Sequence, residues 1–354
     1  MSEQVVTSGM ERRPVLLGFA GLAIGAVLGI MGCSNEDSIE SSSTSTARSV
    51  ARLGETTIST GRKLIFTANA SGNYIIMAKS GTGPVVELTP NSYDNMNPEP
   101  SSDGRSLVYY CDQNDGTPTY LRRYDLATRQ DVRISPSDGH YYYDPAFMPD
   151  GRVVFKRAQP DGTLGDIGIM NADGSAMRML TDIAPSGNVE LWKPAPIDNR
   201  SVVITMRLQP NAPTKQAANN SDVLAILDTE SGGITQLTQN DGRPHWYPTV
   251  RPGGDSVLFI SSDEPTTSSP TRLYTVSLSA KTSSASPTPI TPYSLTGDFA
   301  DPFWTAEGNI VCTYDPHRLG NLAVCGMDSS GDNVGLYELG DVGSCLGPVM
   351  TESV

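Results

Sequence analysis

The feature that most constrains the fold is a phrase that recurs along most of the chain. A proline is followed two residues later by an apolar residue or another proline, then by a turn such as Asp-Gly, and then by an apolar run. The phrase begins at Pro98, Pro145, Pro194, Pro248 and Pro302, at intervals of 47 to 54 residues, and a degenerate copy begins at Ser59. Repeats of roughly this length are typical of solenoids and propellers, in which each unit buries its apolar face against the next.

Each phrase is followed by two more strand-like runs. In the third unit the phrase ends in the run VVFKRA, and DIGIMNADG and AMRMLT follow it. Alternating apolar residues bounded by Asp-Gly or Ser-Gly pairs indicate successive hairpins. No segment has a sustained 3.6-residue apolar period, which predicts an all-β domain. With the short strand at each proline, a unit holds four strands, the content of a propeller blade. The repeated turns lie near Gly61, Gly104, Gly151, Asn199, Gly254 and Gly308.

The sequence therefore predicts a six-bladed β-propeller of four-stranded antiparallel blades over residues 53–354. Its closure is expected at the C-terminus, where Pro348, Val349 and Met350 stand where other units have their proline phrase. We expect residues 346–352 to form the innermost strand of the first blade, beside the run LIFTAN. The alternative is that residues 52–58 form that strand and the C-terminus is loose.

The N-terminus has the pattern of an export signal. Arg12 and Arg13 precede an uncharged apolar run from Val15 to Gly32, which ends at Cys33. The ending Ile30-Met31-Gly32-Cys33 resembles the bacterial lipobox, which implies cleavage after Gly32 and diacylation of Cys33. The alternative is a single transmembrane anchor.

Three segments follow from this interpretation. They are a lipoprotein signal peptide (1–32), a flexible Ser-rich tether attached to lipid (33–52) and the propeller. The expected location is the periplasmic side of the bacterial cell envelope, and Ser34 after the cysteine favours the outer membrane by the lipoprotein sorting pattern. Lys and Arg number 25 against 39 Asp and Glu, a net charge of −14, so nucleic acid is not expected as a partner.

The third unit also carries a family resemblance. The stretches Pro145 to Arg152 and Ile167 to Gly174, closed by Leu180-Thr181, resemble the WD-repeat-like propeller repeats of the TolB family. The resemblance covers residues ~55–352. It implies a TolB-like propeller that recognises an envelope protein or peptide through its channel face, without the additional N-terminal α/β domain of TolB itself.

The loops that lead into the proline phrases supply the candidate binding residues. His140 and His245 lie in such loops, and Tyr142, Tyr143 and Trp246 follow them. If some of these aromatic rings face the channel mouth, they would form a platform for a peptide or a small glycan. We expect Tyr142 and Trp246 to be exposed, whereas Trp304 is expected in the core.

The sequence favours a protein without catalysis, cofactor or metal. No G-x-S-x-G is present, which excludes a peptidase of the prolyl-oligopeptidase type. Oligogalacturonate lyases are built on similar repeats around a His-rich metal centre, but this chain has only three histidines. A metal-dependent polysaccharide lyase or a carbohydrate-binding protein using the same face is the alternative function.

Asn97, Asp144 and Asp301 each precede a proline of the repeat. They either ring the channel and hold a cation, or stabilise the entry of a turn by local hydrogen bonds, which is the commoner role of such residues.

Four cysteines remain besides Cys33, with no C-x-x-C spacing that would indicate a zinc site. Cys312 and Cys325 lie on either side of a turn and are predicted to face each other across a hairpin. In an oxidising compartment they are candidates for a disulfide, and the alternative is two buried thiols. The pairing of Cys111 and Cys345 is open.

Overall fold

The computed structural model describes residues 54–69, 72–90, 92–113, 117–160, 164–183, 186–266, 269–280, 286–291 and 294–352. The signal peptide, Cys33 and the tether lie outside the described residues.

The regular secondary structure of the described residues is almost entirely β-strand. In chain order these are β1 Gly54–Thr56, β2 Arg62–Ala68, β3 Ile75–Ser80, β4 Val86–Glu87, β5 Asp94–Pro100, β6 Ser106–Asp112, β7 Tyr120–Asp125, β8 Asp131–Arg133, β9 Tyr141–Phe147, β10 Val153–Ala158, β11 Gly165–Met170, β12 Arg178–Met179, β13 Glu190–Pro196, β14 Ser201–Arg207, β15 Asp222–Asp228, β16 Ile234–Gln236, β17 Trp246–Val250, β18 Ser256–Ser262, β19 Thr271–Ser277, β20 Thr288–Pro289, β21 Asp298–Trp304, β22 Ile310–Asp315, β23 Ala323–Met327, β24 Gly335–Tyr337 and β25 Cys345–Glu352. A helix α1 (Lys215–Asn219) and a 3-10 turn (Leu278–Ala280) lie between strands. No described helix is long and apolar enough to span a membrane.

The strands pair into six sheets, which confirms the predicted propeller of antiparallel blades. From the inside outwards the blades are β25-β2-β3-β4, β5-β6-β7-β8, β9-β10-β11-β12, β13-β14-β15-β16, β17-β18-β19-β20 and β21-β22-β23-β24-β1. The sixth blade has a fifth strand, because β1 adds to its outer edge in parallel with β24.

Both chain ends contribute to closure. Strand β25 pairs with β2 from Arg62↔Glu352 to Ala68↔Cys345, so the C-terminus forms the innermost strand of the first blade as predicted. The alternative position for residues 52–58 is wrong, since β1 joins the sixth blade instead. The ring is therefore tied at one seam by an inner strand from the C-terminus and an outer strand from the N-terminal side.

The hydrophobic core lies between neighbouring blades. Alternation along each strand sends every second side chain into these interfaces. The largest fully buried side chains include Phe66, Tyr109, Phe155, Phe259 and Tyr314, which lie on the second strand of five blades. A propeller thus builds its core from successive sheet-to-sheet contacts around an open axis, and the innermost strands are free to line a channel.

Candidate functional site: the central channel

Every innermost strand carries the same irregularity at its proline. The register with the second strand of the blade skips two residues, for example between Met96 and Glu99 or between Ala300 and Phe303, while the partner strand skips one. The same shift occurs in the other four blades. Two residues opposite one is a β-bulge. A proline is tolerated there because it has no N–H to pair and because the innermost strand is a sheet edge.

The residue before each of these prolines adopts a left-handed backbone. The six φ angles lie between 45° and 53° for a set that we call the pre-proline ring: Asn97, Asp144, Lys193, Tyr247, Asp301 and Gly347. Non-glycine residues rarely adopt this conformation, although Asn and Asp do so more readily than others. One ring residue comes from each blade, so the bulges place six equivalent positions around the axis.

The ring residues contact one another across blade boundaries. The Asn97 amide donates to Asp144 Oδ1 at 3.0 Å, and the Gly347 backbone N–H donates to Asp301 Oδ2 at 3.2 Å. Asn97, Asp144 and Asp301 therefore line the channel. The turn-entry role, which the sequence favoured, is wrong, because the three residues lie in the middle of strands. The cation that the other interpretation adds stays untested.

The pre-proline ring contains one positively charged side chain, that of Lys193. Lys193 Nζ donates to Glu99 Oε1, from a blade two positions away, at 3.3 Å. Burial lowers the pKa of Lys193, but attraction to Glu99, Asp144 and Asp301 outweighs it, and the pKa is raised. The ammonium group is therefore charged at any physiological pH.

The carboxylates outnumber the cation. Burial raises the pKa of Glu99, an effect that Lys193 partly offsets, and burial also raises the pKa of Asp301.

The cavity enclosed at the level of the pre-proline ring is about 20 Å³, enough for one water molecule. Among the described residues, no three His, Cys, Asp or Glu side chains are grouped so as to hold a metal ion.

A larger cavity opens on one side of the ring, where the innermost strands end in their turns. It has a volume of about 320 Å³, and we call it the axial cavity. All six blades contribute to its wall. The apolar side chains of the wall include Pro100, Phe147, Pro149, Pro194, Pro196, Pro248, Pro252, Phe303, Trp304 and Met350, and its polar side chains are Arg62, Glu99, Ser101, Ser102, Thr249, Thr351 and Glu352. Glu99 borders both this cavity and the smaller one.

The candidate binding residues chosen from the sequence lie on the other side of the ring, and three of them are buried. Tyr142, His245 and Trp246 are 0%, 0% and 4% exposed, so the expectation that Tyr142 and Trp246 are exposed is wrong. The Tyr142 hydroxyl donates to Asp138 Oδ2 at 2.9 Å, and the Trp246 indole N–H donates to Asp222 Oδ2 at 2.5 Å. Each polar tip is thus satisfied inside the protein.

The two histidines have local partners. The His245 ring lies 2.8 Å by Nδ1 from the Thr238 hydroxyl and packs edge-on against Phe259. His140 is half-buried, with Nδ1 3.3 Å from Asp138 Oδ2. The fifth candidate, Tyr143, is half-buried and packs edge-on against Tyr110 of the preceding blade. Trp304 is in the core, as expected.

Sequence reasoning missed Lys193 and Glu99. Aligning the six proline phrases would have found both, since Lys193 occupies the position of Asp144 and Asp301. Glu99 lies two residues after the ring position of its own strand. What the alignment does not reveal is that these side chains meet across the axis.

The two cysteines predicted to face each other are cross-strand neighbours. Cys312 lies opposite Cys325 in β22 and β23, and the two thiols are 3.1 Å apart without a bond between them. The disulfide itself stays a prediction. Cys111 and Cys345 lie in different core clusters, and their thiols donate to Tyr120 Oη and to the Gly343 carbonyl respectively.

Solved structures with the same architecture include TolB. A TolB from Acinetobacter baumannii superposes with a TM-score of 0.63 at 14% identity, over 83% of this chain and 67% of that one. A TolB candidate from Agrobacterium tumefaciens gives 0.57 at 16% identity, over 84% and 99% of the two chains. A hydrazine synthase from Kuenenia stuttgartiensis gives 0.63 at 10% identity, over 84% and 47%. No protein-family model and no curated protein matches the sequence.

The chain is thus a six-bladed β-propeller with an axial cavity. Its fold is similar to the propeller of TolB, as the resemblance of the repeats implies. Identities this low show the fold and not the activity, and the similar structures include an enzyme.

Proposed function

We propose that this chain is a lipid-anchored, non-catalytic binding protein of the bacterial cell envelope, which holds a protein or peptide partner in its axial cavity. The observation that carries the proposal is the cavity itself, about 320 Å³ and lined by all six blades. This volume is in the range of ligand sites, and a wall that combines apolar surface with placed polar groups is typical of such sites.

The apolar part of the wall favours a polypeptide over a sugar. Its prolines have no N–H to donate, and Phe147, Phe303 and Met350 offer only apolar surface. A glycan presents hydroxyl groups that need many hydrogen-bond partners, whereas an extended peptide can bury apolar side chains against proline and aromatic rings.

The test is capture of the partner by two variants that carry the same substitution, threonine to tryptophan, at two different positions. Thr249 lines the axial cavity, and Thr128 is exposed in a turn away from the cavity. Thr249→Trp should fill part of the cavity, and Thr128→Trp is the matched control. The wild type and the control should recover the same envelope protein after crosslinking in cells and affinity purification, and Thr249→Trp should lose it.

Recovery that is equal for both variants would contradict binding in the axial cavity. A clean protein without a partner would contradict recognition of a polypeptide and favour the carbohydrate alternative. Glycan screening and analysis of turnover of acidic oligosaccharides would then test that function directly.

The lipid anchor has its own test. Metabolic labelling with an alkyne fatty acid should mark the wild type, and Cys33→Ser should abolish both labelling and cleavage after Gly32. Labelling that persists in Cys33→Ser would contradict acylation at this position. An unlabelled protein retained in the membrane at full length would favour the transmembrane anchor.

A further inference from the structure

The axial cavity joins an apolar wall to a polar floor. Its wall is built from prolines and aromatic rings, and its inner end reaches Glu99, which also borders the cavity at the pre-proline ring. A side chain that enters from the turn side therefore passes a polar rim and then apolar surface, and it meets the carboxyl group of Glu99 last.

Three carboxyl groups share one cation at the floor. Glu99, Asp144 and Asp301 act on a single ammonium, that of Lys193. The hydrogen bond of Lys193 occupies Glu99 Oε1, and no bond to Glu99 Oε2 exists among the described residues. The floor thus has an acceptor oxygen among more carboxyl groups than cations.

The rim of the cavity carries one ion pair. Arg62 and Glu352 both line the cavity and pair with each other, and Arg62 also pairs with Glu307, which lies outside the cavity wall. Both ion pairs are partly exposed, and exposed pairs contribute little to stability, so they can exchange with a ligand at low cost. The protein as a whole carries a charge of −14, which attracts cations over a longer range.

We infer that the axial cavity receives a lysine side chain from an extended segment of the partner polypeptide. The aliphatic stem lies along the proline and aromatic wall, and the ammonium donates to Glu99 Oε2 beside Lys193. This inference rests on the proposed function, because it specifies the chemistry of the segment that the same cavity holds.

Lysine suits this floor better than arginine. A guanidinium is most strongly bound when both oxygens of a carboxylate accept in parallel, and Lys193 already uses one oxygen of Glu99. An ammonium is a compact charge that a single oxygen can accept. Its stem of methylene groups also buries well against apolar surface.

The probe is a labelled peptide, acetyl-Ala-Leu-Lys-Leu-Ala-amide, with versions in which norleucine or glutamate replaces lysine. Fluorescence anisotropy with the whole propeller should give the tightest binding for the lysine peptide. The norleucine peptide should bind about tenfold more weakly or worse, the loss expected for a charge-assisted hydrogen bond. The glutamate peptide should not bind measurably.

Glu99→Gln identifies the acceptor. It should weaken the lysine peptide by about tenfold while leaving the norleucine peptide unchanged, since only the charged partner is removed. Glu230→Gln is the matched control, because Glu230 is exposed in an outer turn where it pairs with Arg200. A cooperative melting transition above the assay temperature would show that Glu99→Gln folds. If it does not fold, Thr249→Trp replaces it as the blocking variant.

Equal affinity for the lysine and norleucine peptides, or no effect of Glu99→Gln, would overturn the inference. Binding of 1,5-diaminopentane without binding of any peptide would overturn it too and indicate a free amine as ligand. If Thr249→Trp loses the cellular partner but Glu99→Gln keeps it, the proposed function stands and the lysine inference fails.

Discussion

At the scale of the residue, the decisive feature is a backbone conformation. Five non-glycine residues adopt a left-handed conformation in front of a proline, and each such position costs of order 1–3 kcal/mol unless its surroundings compensate. The bulges place the ring positions in the channel, where Lys193 meets carboxylates from other blades. The strained backbone positions are therefore the ones that place polar side chains at the centre of the propeller.

Removing the charge of Lys193 should destabilise the protein in a pH-dependent way. Lys193→Met leaves Glu99 and Asp301 without a nearby cation, and the free energy of unfolding at pH 7 should fall by about 3 kcal/mol. Burial raises the pKa of both carboxyls, so they bind protons more tightly in the folded state. Stability therefore rises as the pH falls through the raised values, and the loss should be smaller at pH 5 than at pH 7.

Urea unfolding at the two pH values measures this difference. Lys63→Met, a half-buried position in β2, is the control and should show a small loss that does not depend on pH. A loss in Lys193→Met that is the same at pH 5 and pH 7 would contradict the coupling of Lys193 to the carboxylates.

The cysteine pair gives a second residue-scale prediction. Under oxidising conditions Cys312 and Cys325 should form a disulfide, because they are register partners with neighbouring thiols. Closing a loop of this length stabilises by up to about 3 kcal/mol, so the oxidised protein should melt at a higher temperature than the reduced one. Peptide mapping with and without reduction identifies the bond.

The double variant Cys312→Ala/Cys325→Ala should remove this dependence on oxidation. Cys111→Ala/Cys345→Ala should keep it, since those thiols have other partners. Two alkylatable thiols at residues 312 and 325 in protein purified from the oxidising compartment would contradict the disulfide.

At the scale of the element, the two ends of the chain close the ring unequally. Strand β25 is an inner strand paired along the whole of β2, and it supplies Leu346 and Val349 to the core. Strand β1 pairs over three residues on the outer edge of the sixth blade. Closure therefore depends mainly on the C-terminus.

Deleting residues 345–354 should abolish cooperative unfolding. The deletion exposes one edge of β2 and removes apolar side chains from two blade interfaces, which an adjacent strand cannot replace. Deletion of residues 1–56 should lower the melting temperature but leave a cooperative transition. Calorimetry with gel filtration measures both, and a cooperative transition in the C-terminal deletion would show that β1 and the other five blades suffice.

At the scale of the whole molecule, the net charge of −14 should govern the rate of association with a cationic segment. Screening shortens the range of this attraction to about 10 Å at 0.1 M salt, so the association rate of the lysine peptide should fall as salt rises. Stopped-flow anisotropy measures the rate. The norleucine peptide is the control, and equal salt dependence for both peptides would contradict electrostatic attraction.

The sequence by itself determined the repeat, and through it most of the fold. Strand alternation, turn glycines and prolines act over a few residues, so the number of blades and the closure by residues 346–352 could be predicted. Only the tertiary structure decided the burial of Tyr142 and Trp246. Trp246 is held by Asp222 and Lys193 by Glu99, partners 24 and 94 residues away. Burial in a propeller depends on the neighbouring blade, and local patterns do not show what that blade presents.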